Sequence, residues 1–66
     1  MRWEIRFLAA NGMAVFREAF SKEDALDIAC ALLTEGKNVL SIIDPTGSDA
    51  PIYGVEIKSM CARRKA

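Results

Sequence analysis

Few side chains in this sequence are equipped for chemistry. There is no histidine, so general acid–base work would fall to carboxylates, to Lys37 or to loop hydroxyls. Asp44-Pro45-Thr46-Gly47 sets a carboxylate near a hydroxyl and a glycine, the composition of an aspartyl nucleophile site. Pro45 separates the aspartate from the Thr-Gly pair, however, and no second catalytic motif follows. A turn explains the four residues, with Pro45 presetting φ and Gly47 free to take positive values. The glycines, Gly12, Gly36, Gly47 and Gly54, never cluster into a phosphate-cradling loop. Cys30 and Cys61 lack metal-ligand spacing. The expectation is a protein that is not an enzyme and that takes no cofactor and no metal.

The cysteines also bear on compartment. Cys30 lies inside an apolar helical pattern, where a free thiol behaves as a small hydrophobe. Two cysteines so placed give no disulfide framework, which suits a reducing cytoplasm. No signal-type start follows Met1-Arg2-Trp3-Glu4, and no apolar run reaches membrane-spanning length. A cytoplasmic protein without membrane partners is expected.

Binding chemistry rests on charge and apolar surface. Nine basic and nine acidic residues cancel, but they are unevenly placed. Residues 1–57 hold all nine acids against five bases, whereas Lys58, Arg63, Arg64 and Lys65 follow without an acid. An acidic body repels a polyanion while a basic tail attracts one. Arg2, Arg6 and Arg17 on a strand face, with Arg63, Arg64 and Lys65 in the tail, are therefore candidate nucleic-acid or anion contacts. Sheet readers of single strands stack bases on exposed aromatics, and the register expected below turns the aromatics inward. Nucleic acid is accordingly the second reading.

The elements that position these groups follow from periodicity. Trp3, Ile5 and Phe7 alternate with Arg2, Glu4 and Arg6, the period of a half-buried strand. Asn11-Gly12 is the favoured dipeptide of a two-residue hairpin turn. With those loop residues Phe7 faces Phe16, Trp3 faces Phe20 and Arg6 faces Arg17, leaving Glu18 as an inward misfit. A one-residue slip would bring Val15 and Arg17 beneath the core and turn Phe16 and Phe20 outward, so the first register is expected. Ser21 caps a helix with Glu23, Asp24 and Asp27 near its positive end, and Gly36 stops it. Ala25, Ala29, Leu32 and Leu33 centre its apolar face, which Leu26, Ile28 and Cys30 widen beyond what one sheet requires. Asn38 to Ile43 reads as a strand apolar on both faces. After the turn at 44–49, a fourth strand would carry Tyr53, Val55 and Ile57 inward, and Gly54 would mark a gap or bulge.

The resulting expectation is a single α+β domain over 1–59: a ββαββ chain with a four-stranded antiparallel sheet and one helix on one face. Residues 60–66 would be a basic tail, frayed or disordered. The expected core is Trp3, Ile5, Phe7, Phe16, Phe20, Ala29, Leu32, Leu33, Tyr53, Val55 and Ile57. The order of elements, with Ser21-Lys22-Glu23-Asp24-Ala25 opening the helix, resembles the layout of several small bacterial ββαββ families. The likeness is one of layout and transfers no site residue.

A chain of about 60 residues buries only some 60% of its unfolded surface, and self-association is one of the usual supplements. Leu8, Met13 and Val15 form an apolar cluster on the outer side of the expected hairpin, and Leu40 and Ile42 add one face of the third strand. These five residues are the expected dimer interface. The function expected is a self-associating, homodimeric protein-interaction module, side by side or through strand or hairpin exchange about Gly36-Lys37-Asn38.

Overall fold

The computed structural model describes residues 2–65 of the chain. Its strands are β1 (Trp3–Leu8), β2 (Ala14–Ala19), β3 (Asn38–Ile43) and β4 (Ile52–Tyr53), and its helices are α1 (Lys22–Thr34) and α2 (Gly54–Lys65). The sheet is antiparallel in the order β2-β1-β3-β4. The fold is thus α+β, as expected, but it carries two helices in the order ββαββα. Both helices lie against the sheet and against each other, and Cys30 of α1 is bridged to Cys61 of α2.

The ends of α1 follow from local chemistry. The Ser21 hydroxyl accepts the Asp24 N–H at 3.1 Å, and the Asp24 carboxylate accepts the Phe20 N–H at 3.2 Å. The arrangement is a variant of the capping box, in which the side chain three residues on reaches the N–H of Phe20, one residue before the cap, instead of that of Ser21 itself. At the other end, Gly36 donates to the Leu33 carbonyl and Lys37 to that of Leu32, the paired bonds of a Schellman motif.

The first hairpin differs from the expectation by one residue. Gly12 donates to the Ala9 carbonyl and Ala9 to that of Met13, closing a three-residue loop of turn plus bulge in place of a two-residue turn. Only Gly12 needs a left-handed backbone, at φ +83°, while Asn11 keeps a negative φ and its side chain accepts the Met13 N–H at 3.0 Å. The register becomes Trp3↔Ala19, Ile5↔Arg17, Arg6↔Phe16 and Phe7↔Val15. One residue of slip inverts every side chain of β2. Ala19 is therefore buried, and Phe16 and Phe20, expected in the core, stand 60% and 80% exposed. Glu18 moves off the helix side, which removes the misfit, and Arg6 faces Phe16 instead of Arg17.

The pattern of β3 is explained by a bulge. Arg6 pairs with Ser41 and Phe7 with Val39, so Leu40 is the extra residue. A bulge shifts the alternation by one position, so Val39 and Ile42 both enter the core, while Ser41 and Ile43 face Arg6 and Glu4 across the strand pair.

The expected fourth strand stops after Tyr53, because Gly54 already begins α2. A Cβ at Gly54 would lie 2.8 Å from the Val39 carbonyl oxygen, so glycine lets the chain leave the sheet against the backbone of β3. From there Ile57 and Cys61 are buried and Met60 is partly so, an apolar spacing of i, i+3, i+4 that belongs to a helix. Tyr53 and Val55, expected inward, are exposed. Residues 60–65, expected to fray, are the last turns of α2. The core instead gathers Ile5, Phe7, Ala19, Ala25, Leu26, Ala29, Leu32, Val39, Ile42, Ile52, Ile57 and Cys61, with Trp3 and Leu33 half-buried at its margin.

Two outcomes check this architecture. Leu32→Ala, at a fully buried site, is expected to cost about 2–5 kcal/mol in urea unfolding, whereas Val55→Ala on exposed helix should stay within about 0.5 kcal/mol. Equal losses would return Val55 to a buried strand. Reducing the bridge opens a loop with a sequence separation of 31, for which loop-closure entropy gives a loss of about 3–4 kcal/mol, to be read from unfolding with and without reductant.

Candidate functional site

With both helices on the side of Ile5, Phe7, Val39 and Ile42, the other face of the sheet has no covering element among the described residues. Its central row follows from the pairings Phe16↔Arg6, Arg6↔Ser41 and Ser41↔Tyr53. The row crosses all four strands with an aromatic ring at each end. Phe16 and Tyr53 are exposed, and the small Ser41 between Arg6 and Tyr53 is buried. Leu8 lies half-buried on the same face, and Glu4, Arg6, Ala14 and Phe16 line a shallow depression toward its β2 edge.

Charge on this face is internally paired. The Arg6 Nε donates to Glu4 Oε1 at 2.7 Å. Arg2 lies 3.9 Å from the Glu18 carboxylate, and its guanidinium sits 5.4 Å from the Phe20 ring centre, within cation–π range. Exposed pairs of this kind contribute little to stability; their consequence is a face with aromatic surface and no net charge from these four residues.

The expected interface residues do not form one patch. Met13 is exposed in the hairpin loop, and Leu40 is partly exposed at the bulge. Val15 is opposite Phe7 and therefore lies on the helix side of the edge strand. Ile42 is 0% exposed; it is a core residue and offers nothing to a partner. Leu8, opposite Ala14, lies on the open face.

The basic candidates are likewise divided. Arg2 and Arg6 are on the open face, but Arg17, opposite Ile5, is on the other. Arg63 is exposed on α2. Arg64 pairs with Asp27 of α1, so one tail cation joins the two helices. The side chain of Lys65 lies outside the described residues. Phe16, Phe20, Tyr53 and Val55 are the surface residues that sequence reasoning turned inward. Their signal was the alternative hairpin register, together with the helical spacing of Ile57, Met60 and Cys61.

Asp44 has a structural task. Its carboxylate accepts the Thr46 N–H at 2.9 Å, the Thr46 hydroxyl at 2.8 Å and the Asp49 N–H at 3.0 Å. The Thr46 and Asp49 amides hold its pKa below the ordinary 3.8, against the opposing effect of burial, and the Thr46 hydroxyl adds to them. These bonds tie the 44–49 turn expected from Asp-Pro-Thr-Gly. Among the described residues no three His, Cys, Asp or Glu side chains gather into a group able to hold a metal, and no helix is long and apolar enough to cross a membrane.

No family model, curated protein or solved structure matches the chain.

The Asp44 contacts have a pH signature. A carboxylate whose folded pKa is lowered stabilises the fold above its unfolded value, here about 4, and loses that contribution as pH falls through the lowered one. Asp44→Asn should therefore be less stable than the wild type at pH 7, with the gap closing in strong acid. A gap independent of pH in urea unfolding would mean that the charge contributes nothing.

Proposed function

We propose that the chain is a small non-enzymatic interaction module that associates with a second copy of itself through its sheet. The observation that supports this most directly is the placement of both helices on one side, which leaves Leu8, Phe16 and Tyr53 on an uncovered face and β2 as a six-residue open edge. A chain this small gains from covering such surface: roughly 600 Å² of apolar area is worth about 15 kcal/mol, set against an association cost of about 4–15 kcal/mol. Exchange of a hairpin about Gly36-Lys37-Asn38 would reach the same end, although the Cys30–Cys61 bridge ties the segments on either side of that hinge. A bridge of this kind persists in oxidising compartments; in the cytoplasm expected from sequence the two sulfurs would be thiols, and the dimer would rest on non-covalent contacts.

A second reading has one observation in its favour. Phe16, Phe20 and Tyr53 are exposed with Arg2 and Arg6 on the same face, an arrangement on which unpaired bases can stack. The carboxylates of Glu4 and Glu18 beside those arginines work against it.

Sedimentation equilibrium at tens of micromolar tests the first reading, with about twice the 7.3 kDa chain mass expected. A monomer mass there would overturn it. A mobility shift with single-stranded nucleic acid at low salt tests the second; binding should weaken steeply as salt rises, and no shift at micromolar protein removes it.

A further inference from the structure

We infer that two copies join through their β2 strands, antiparallel about a two-fold axis at Phe16, into one continuous eight-stranded sheet. The inference rests on the self-association reading and assigns it to the edge of the sheet.

The backbone of β2 carries the argument. Ala9 bonds to Met13, so the hydrogen-bonded pairs of the β1–β2 ladder continue at Phe7/Val15, Ile5/Arg17 and Trp3/Ala19. The N–H and C=O groups of Ala14, Phe16 and Glu18 then point away from β1, where the sheet order places no further strand. No proline lies in β2. At the opposite edge β4 is only two residues long and runs directly into α2, which limits it as a template.

Charge selects the register. A two-fold axis at Phe16 sets Ala14 against the partner's Glu18 and Phe16 against the partner's Phe16, so every free position finds a hydrogen-bonding counterpart. On the helix side it sets Val15 against the partner's Arg17. No like charges are opposed. An axis at Glu18 or at Arg17 would oppose two like charges, which is unfavourable, and an axis at Ala14 or at Val15 would set Phe16 or Glu18 against Gly12 in the loop. With the axis at Phe16, the two Phe16 rings meet on the open face and the rows from Tyr53 to Phe16 become one row across both copies.

The test compares four variants with the wild type by sedimentation equilibrium at low salt, with circular dichroism to confirm folding. Glu18→Pro removes an outward N–H and leaves the β1 ladder intact, and it is expected to give a folded monomer. Ala14→Lys, placed opposite the partner's Glu18, should lower the dimer dissociation constant about fivefold, and Ala14→Glu should raise it about fivefold. Tyr53→Glu, on the face and away from the edge, should leave it unchanged. If Glu18→Pro fails to fold, the opposite shifts of the two Ala14 variants decide. A wild-type dimer that ignores the Ala14 variants overturns the edge assignment, and its dissociation by Tyr53→Glu moves the interface to the open face with self-association intact. A wild-type monomer overturns both.

Discussion

The left-handed residue of the first hairpin is Gly12 alone, and most of the surface depends on that. Because Asn11 stays at negative φ, the loop holds three residues, and β2 pairs with β1 one position away from where a two-residue turn would put it. The inverted strand offers Val15, Arg17 and Ala19 to the helix side and Ala14, Phe16 and Glu18 to the other, and Phe20, just past its end, is exposed. A small Ala19 opposite Trp3 fits under α1 at the end of the sheet. The cost is aromatic surface in water, and that surface is what makes the sheet a candidate for association.

The second constraint is the pairing of the helices on one side. Gly54 turns the chain out of the sheet where any side chain would strike the Val39 carbonyl. Ile57, Met60 and Cys61 then cover β3 and β4 beside α1. The Cys30–Cys61 bridge and the Arg64–Asp27 pair tie α2 to α1. A chain of this size has little core to spare, and the second helix supplies two of its buried residues, Ile57 and Cys61. The basic segment that looked like a free anion-binding tail is thereby part of the packed structure.

These constraints place the open surfaces side by side. The face carries rings and paired charges, while the β2 edge carries unpaired backbone groups. The two meet in β2, where Ala14, Phe16 and Glu18 leave their N–H and C=O free along the edge and the slip turns the Phe16 ring onto the face. The face row and the edge meet at Phe16.

What the sequence determined by itself was everything set by neighbours along the chain. The alternation of Trp3, Ile5 and Phe7 marked β1 and the apolar run Asn38–Ile43 marked β3, while the Ser21 and Gly36 signals that bounded α1 and the turn at Asp44 to Asp49 rest on bonds spanning at most five residues. The tertiary structure decided what local chemistry leaves equal. Asn11-Gly12 serves a two-residue loop as well as a three-residue one, so the register was chosen by which side chains fit between sheet and helices. Tyr53 to Ile57 alternates as a strand would, yet Ile57, Met60 and Cys61 repeat as a helix does, and the approach of Gly54 to β3 settles the choice. The disulfide needed Cys30 and Cys61 to be brought together by the packing of two helices, the second of which the strand reading did not contain.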